Sequence, residues 1–438
     1  MMRSVLRRVR GGRGGRKASR VALATVAVGA VTAAAVSNST RVDRILRRAL
    51  PGLSATAAVV PLAVVSLFAG EFPRHVLAVE AAAVLALAPG AVRHRRGRLA
   101  LVAVVGSWAG LVRARVTAES AAGVLDEALR RSLGDDLVPE APHRAEHLQH
   151  HWIPRFSERI RYLRSENLSY GDAGIRNHLD IWFRDDLPVD GRAPVLLQIH
   201  GSAWVAGSKR GQGYPLMAHM AERGWVCVAI NYSLAPTAQW PAHIIDVKRA
   251  IAWVKREIAC YGGDPEFVVL TGGSAGGHLT ALAALTANEA VFQPGFEQAD
   301  TSVVAAVPFY GVYDLLDRSA AAPPEQEAFL TRFVIGASPE QNPTVWREGS
   351  PMHWIHPDAP PFFVLHGALD TLTPPATARR FAEELRKVSR NPVAFAELPG
   401  AQHMWDCVPS VRSAATVVAV ERFLNAVRGH GPGGRTAG

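Results

Sequence analysis

One short stretch restricts the fold more than any other. Phe267-Val-Val-Leu-Thr-Gly272-Gly-Ser274-Ala-Gly276-Gly277 is an apolar, β-branched run, then a serine between glycines, then an alanine- and leucine-rich segment. The pattern predicts a strand, a sharp turn and a helix. A serine at the apex of such a turn holds a strained backbone, with strand and helix so close that only glycine fits at 272 and 276. The helix aims its first amides and its dipole at any negative charge that forms beside the serine. Gly-x-Ser-x-Gly alone is common in glycine-rich loops; the strand before it and the helix after it make it specific here.

Around this unit the chain alternates. Apolar runs at 179–183, 194–200, 225–232, 267–272, 303–310, 361–366 and 393–398 read as strands, and segments near 214–222, 243–258, 277–288 and 375–389 as helices. Strands without polar alternation, separated by helices, predict a mostly parallel sheet covered on both faces. In such sheets ligands bind beyond the carboxyl ends of the strands. The chemistry-bearing residues fall at such ends. Val195-Leu-Leu-Gln-Ile-His200-Gly201-Ser202-Ala203-Trp204 closes an early strand with a tight turn. Its amides at Gly201 and Ser202, with that of Ala275, are the expected donors to an oxyanion; His200 reads as a prop of the loop. Phe362-Phe-Val-Leu-His366-Gly367-Ala-Leu-Asp370 and Leu398-Pro-Gly-Ala-Gln-His403 place a carboxylate and an imidazole beyond two late strands. A serine hydroxyl is a poor nucleophile until an imidazole takes its proton, and a carboxylate fixes the tautomer of that imidazole. Ser274 as nucleophile, Asp370 as acid and His403 as base follow in that order along the chain. Asp406, three residues past the histidine, and Asp314, after an earlier strand, are rival acids.

Charge divides the chain unevenly. Residues 1–116 hold 19 Lys and Arg against Asp43, Glu71 and Glu80, a net +16, although the whole chain is only +10. The arginines flank apolar stretches at 21–37, 53–70, 76–92 and 99–112. That arrangement suits membrane-flanking residues better than the basic stripe of a nucleic-acid-binding domain. The expectation is an N-terminal transmembrane helical segment, with 53–70 the best span. The first stretch also has signal-peptide character. If 53–70, 76–92 and 99–115 span and 21–37 does not, the arginine clusters stay inside and the rest of the chain lies on the non-cytoplasmic face of the cell membrane. Cys227, Cys260 and Cys407 build no disulfide framework and have no metal-ligand spacing. No cofactor and no metal is expected, and oligomeric state is not legible.

Taken together, these motifs resemble the hormone-sensitive-lipase-like carboxylesterases and, close to them, membrane-tethered bacterial esterases and isoprenylcysteine methylesterases. The resemblance covers roughly 170–428. It is carried also by Asn231-Tyr232-Ser-Leu-Ala-Pro236, Pro241-Ala242, Asp246, Trp253 and Tyr261-Gly-Gly-Asp264-Pro265. It implies the α/β-hydrolase fold with helical cap elements, and hydrolysis of carboxylic esters without a cofactor. Two departures from the family pattern stand out. His-Gly-Gly-Gly has become His200-Gly-Ser-Ala203, which narrows the space near the acyl carbonyl, and Gly-Asp-Ser-Ala-Gly has become Gly272-Gly-Ser-Ala-Gly276. The expected organisation is a basic leader with transmembrane helices at 1–116, connector or cap helices at 117–165 and a catalytic domain at 166–428. A cap insertion is expected at 315–350 and a disordered tail at 429–438. Trp204, Trp240, Trp354 and Trp405 lie near the expected pocket rim, where packing is the simplest role for each. An amidase or peptidase with the same triad, or a non-catalytic binding protein on this fold, are the alternatives to a small-molecule or lipid esterase acting at a membrane.

Overall fold

The computed structural model describes residues 66–92, 95–134, 159–316 and 325–430. The chain forms two compact units, Met1–Glu119 and Ser120–Gly438.

In the first unit, helices α1 (Pro73–Ala91) and α2 (Arg95–Glu119) pair with one another. Ser107 Oγ and Trp108 Nε1 on α2 donate to Glu80 Oε2 on α1, at 3.2 and 3.1 Å. Ala69, just before α1, and Leu111 on α2 are buried together, and Val76, Leu77 and Trp108 pack against them partly buried. The stretches 76–92 and 99–112 are therefore helical, but the expectation that they span is corrected: among the described residues no helix is long and apolar enough to cross a membrane. Arginines at 95, 96 and 98 and at 113 and 115 leave α2 an uncharged run of only 14 residues. That is ~21 Å of helix against ~30 Å of hydrocarbon. Glu80 interrupts α1 and is used in pairing. The expected span 21–37 and residues 53–65 of the next lie outside the described residues.

The second unit begins with α3 (Ala121–Leu133) and is organised on an eight-stranded sheet: β1 (Leu163–Ser169), β2 (His178–Trp182), β3 (Ala193–Ile199), β4 (Val226–Ile230), β5 (Gly263–Gly273), β6 (Ala305–Phe309), β7 (Phe362–Gly367) and β8 (Val393–Leu398). Their order across the sheet is β1-β2-β4-β3-β5-β6-β7-β8. The β1–β2 and β2–β4 pairs are antiparallel and every other pair is parallel. Each of the seven expected strands is present, six with shifted ends and β8 with the expected ones. The central strands are continuous Val, Ile, Leu and Ala because both faces are covered: every residue of β3 and β4 is buried. Helices α4 (Tyr214–Glu222), α5 (Ala242–Glu257), α6 (Ala275–Leu285), α7 (Pro375–Val388) and α8 (Val411–His430) supply the cover, α4 pairing with α8 and α5 with α6. His219 on α4 and Glu421 on α8 are both buried and meet at 2.7 Å.

Two elements lie outside the sequence expectation, β1 and α8. Leu-Arg-Ser-Glu-Asn-Leu-Ser of β1 is an edge strand with several half-buried or exposed positions, so it lacks the apolar run of the central strands. Helix α3, in the segment expected as connector or cap, packs on the edge strand β8 and on α8, where Arg422 meets Asp126 at 2.9 Å. Within the expected cap insertion, short helical pieces at Glu325–Phe329, Leu330–Ile335 and Pro343–Glu348 lead back to the sheet; residues 317–324 are outside the described set.

Candidate active site

Ser274 sits between the end of β5 and the first turn of α6 with φ 59° and ψ −121°. This is a backbone conformation that costs a non-glycine residue of order 1–3 kcal/mol and persists only where the surroundings enforce it. They do. The Ser274 amide donates to Phe309 O on β6 at 3.0 Å, and its carbonyl accepts from the His278 amide at 2.9 Å. A Cβ at Gly276 would stand 2.7 Å from the His200 carbonyl oxygen and closer still to that of Ile199. One at Gly272 would stand 2.7 Å from the Gly276 carbonyl oxygen. The glycines expected at 272 and 276 are thus required by backbone on both sides.

Asp370 follows β7 and His403 follows β8, and the two meet: His403 Nδ1 lies 2.7 Å from Asp370 Oδ2. Both are buried. Asp370 Oδ1 accepts the amides of Leu372 and Thr373, each at 2.9 Å. The Thr373 hydroxyl is 3.0 Å from Asp370 Oδ2, 3.1 Å from Tyr310 O and 3.2 Å from His403 Nδ1. His366 Nε2 holds the same turn through Thr373 O at 2.6 Å. Burial by itself would raise the Asp370 carboxyl; the charge of His403 and hydrogen bonds from His366 and His403 outweigh it and hold Asp370 well below the usual carboxylate range.

The rival acids go elsewhere. Asp406 Oδ1 accepts the hydroxyl of Tyr310, and burial pushes its carboxyl up. Asp314 is buried beside the segment that leads to Ser350, where the Leu315 amide donates to Ser350 Oγ at 2.9 Å. Tyr310 links the two halves of the site. Its ring is 4.4 Å from that of His403, and a Cβ at Gly273, next to Ser274, would stand 2.6 Å from its hydroxyl.

The loop after β3 runs past the same point: a Cβ at Gly201 would be 3.1 Å from Ser274 Cβ. Here the structure alters one expectation. The Gly201 amide donates to Gln212 Oε1 at 2.7 Å and so is already committed within the protein. Ser202, Ala203 and Trp204 follow with φ of 83°, 54° and 60°, one left-handed turn closed by the Val205 and Ala206 amides on Ser202 O. As at the start of any helical turn, the first N–H groups have no acceptor inside it. The Ser202 and Ala203 amides are therefore not used within the turn; Ala203 was not among the expected donors. Ala275 opens α6 directly after Ser274, at the positive end of that helix.

His200 props this loop as the sequence suggests, and partners not legible there complete the scaffold. His200 Nδ1 donates to Gly201 O at 2.8 Å, and burial depresses that imidazole to about 4, so it is neutral. Tyr232 stacks on it with centroids 4.3 Å apart and donates to His200 O at 2.9 Å. The Lys209 amide donates to Asn231 Oδ1 at 2.8 Å, and its buried ammonium pairs with Asp180. Asp246 Oδ2 accepts the Ser233 amide at 2.9 Å. The Asn-Tyr-Ser-Leu-Ala-Pro and Asp246 motifs are thus loop anchors. Trp204 Nε1 donates to His278 Nδ1 at 3.3 Å, and His278 Nε2 donates to Gly349 O at 2.7 Å, tying α6, the loop and the 315–350 segment together. Trp204, Trp240 and Trp405 are buried and serve as packing. Among the described residues, no group of three or more His, Cys, Asp or Glu could hold a metal ion.

Residues 179–385 match the family model described as BD-FAE. The chain is 56% identical over 263 residues to the probable carboxylic ester hydrolase LipM of Mycobacterium tuberculosis, covering 60% of this chain and 61% of the relative. It is 50% identical over 271 residues to esterase LipQ of the same organism, covering 62% and 64%. Its relatives are ester hydrolases. The chain spans less than two thirds of the length of either. Among solved structures, Thermogutta terrifontis esterase 2 phosphoramylated by tabun aligns with a TM-score of 0.50 and 25% identity, over 60% of this chain and 93% of that one. The sheet order, the turn at Ser274 and this alignment are those of an α/β-hydrolase-like fold with a mostly parallel sheet flanked by helices.

Proposed function

We propose that the chain is a serine carboxylesterase that works through an acyl-enzyme on Ser274. The observation that carries this reading is the Asp370–His403 contact at 2.7 Å, joined to the Ser274 turn through Tyr310. With Nδ1 bound to Asp370, Nε2 is the nitrogen left to take the Ser274 proton. Ser274 Oγ then attacks the ester carbonyl, and the oxyanion is met by the amides of Ser202, Ala203 and Ala275. The imidazolium returns its proton to the departing alkoxide, and water, deprotonated by His403 in turn, releases the acid and frees Ser274. Gly201 acts here as the fixed root of the loop. The ester-hydrolase relatives and a structural neighbour titled as phosphoramylated by tabun support the chemistry. A fluorophosphonate probe tests it. Labelling abolished by Ser274→Ala is the expected result, and absence of labelling in folded wild type refutes it. Rates on p-nitrophenyl esters that exceed those on matched anilides are expected; the reverse marks an amidase.

We also propose attachment to the cell membrane through the N-terminal unit, with the catalytic unit on the non-cytoplasmic face. The apolar stretch 53–70, with the arginine clusters at 3–20 and 41–48 all before it, supports this as a single span. Lipid or membrane-partitioned esters are the substrates it favours. Retention in the membrane fraction after carbonate extraction, and digestion by protease added outside spheroplasts, are the expected outcomes. Extraction by carbonate, or protection from the protease, overturns them.

A further inference from the structure

Asp406 is the carboxylate passed over for the triad, yet it is buried, close to His403 in the chain, and has a partner of its own. Tyr310 touches the loops of all three triad residues. Its amide donates to Leu365 O on β7 at 2.7 Å, and its carbonyl accepts the Thr373 hydroxyl, at 3.1 Å, beside Asp370. Its ring fills the space that Gly273 leaves by having no side chain, directly before Ser274. The same ring lies against the imidazole of His403, with centroids 4.4 Å apart and planes inclined by 53°. Trp405 packs on the other part of the ring at 5.1 Å. The hydroxyl, fully buried, donates to Asp406 Oδ1, and Cys407 Sγ is 3.8 Å from it. To reach this place Tyr310 holds φ at 37°, a strained value for an aromatic residue.

We propose that Tyr310 and Asp406 are a positioning pair for His403: the phenol ring sets the imidazole against the Ser274 turn, and Asp406 adds negative charge that favours the imidazolium formed when Ser274 gives up its proton. The proposal rests on the triad reading above. Burial raises the Asp406 carboxyl, and the hydrogen bond from Tyr310 and the charge of His403 oppose that rise and favour its anion. The titratable groups that face His403 are Asp370 from the loop after β7, with His366 behind it, Tyr310 from the end of β6, and Asp406 and Cys407 from its own loop. Asp370 grips Nδ1 directly. Asp406 does not touch the ring and acts through Tyr310 and through space, which is why a contact-based search for the acid rejects it.

Asp406→Asn in the full chain separates charge from shape, since the amide oxygen still accepts the Tyr310 hydroxyl. The readout is kcat and KM on a p-nitrophenyl ester across pH, with fluorophosphonate labelling as a count of competent sites. Removing a nearby negative charge lowers the pKa of an imidazole. The acid limb of kcat/KM is therefore expected about half to one pH unit lower, with kcat down about tenfold near neutrality and KM within about twofold. Tyr310→Phe keeps the ring and loses the hydroxyl; its kcat loss and that of Asp406→Asn should add to less than their sum in the double variant. A purely structural role moves melting temperature and leaves the acid limb in place. An Asp406→Asn enzyme that labels normally, with wild-type kcat and an unmoved acid limb, overturns the pair. If Asp406→Asn does not fold, Tyr310→Phe carries the test, and wild-type kcat there overturns it. Wild type that neither labels nor turns over sinks the triad reading instead, so the two failures are distinct.

Discussion

Lys248 carries an ammonium group into the interior, on α5, to the carboxyl end of the helix that begins at Ser274. Its Nζ donates to the carbonyls of Ala283 and Thr286 and lies 3.4 Å from Thr301 Oγ1, and no part of the residue is exposed. A cation at a helix C-terminus satisfies carbonyls that the helix cannot. Burial nevertheless dominates: it lowers the ammonium from the ordinary 10.5 to about 7, with Glu289 and Asp300 opposing. The unfolded chain keeps this proton up to about pH 10.5, whereas the fold gives it up near 7. In that window the unfolded state binds more protons, so stability rises with pH; it is lost as pH falls through 7. At about 1.36 kcal/mol per pH unit the full span from 7 to 10.5 is about 5 kcal/mol. Lys248→Met removes the titration and leaves a pH-independent offset from the uncapped carbonyls. Urea unfolding of both proteins, followed by tryptophan fluorescence at fixed ionic strength, should show wild type gaining on the variant by about 2.3 kcal/mol between pH 7 and 9, the folded ammonium being half protonated at pH 7. A difference flat to within about 0.5 kcal/mol would mean that the carbonyl cage stabilises the charged form and that burial does not govern this site.

Other outcomes follow from the same structure. Gly276→Ala drives a methyl group into the carbonyls of Ile199 and His200. It should cost at least about 1–3 kcal/mol and abolish probe labelling, and a variant with normal melting and labelling would show that the turn can relax. Asp370→Asn should lower kcat about 10⁴-fold by releasing the His403 tautomer; a loss under about tenfold in steady-state assays would contradict its assigned role. Burial depresses the His278 imidazole to about 4 from its ordinary 6.5. Its stabilising neutral form is therefore present above pH 6.5 and lost as pH falls through about 4, a difference of about 3 kcal/mol. Chemical unfolding of His278→Asn beside wild type at pH 4.5 and 6.5 should show wild type losing more stability on acidification; parallel behaviour would refute this.

The strands were legible where both faces are buried, since a residue such as Leu197 or Val228 has no solvent side on which to be polar. β1 was illegible because it is an edge strand, with polar and exposed positions. The glycines at 272 and 276 were legible as a motif, and the structure supplies the reason: the backbone at Ile199 and His200, together with the turn itself, admits no side chain there. The stretches 76–92 and 99–112 are helical as their apolar content suggests, but Glu80 on α1 and the arginines bounding α2 leave neither long and apolar enough to cross a membrane.

Ser274 and its turn are legible from neighbouring residues in the chain, and the order Ser274, Asp370, His403 narrows the remaining choice. What no local pattern could decide is which carboxylate meets the imidazole. Asp406 is nearer in sequence, but its carboxylate goes to Tyr310, which comes 96 residues earlier, while Asp370 crosses from the adjacent strand to reach Nδ1. The Gly201 amide is likewise withdrawn by Gln212, 11 residues further on. Hydrogen bonds in a buried site are assigned by three-dimensional competition for each donor and acceptor, and only the packed sheet brings the competitors together.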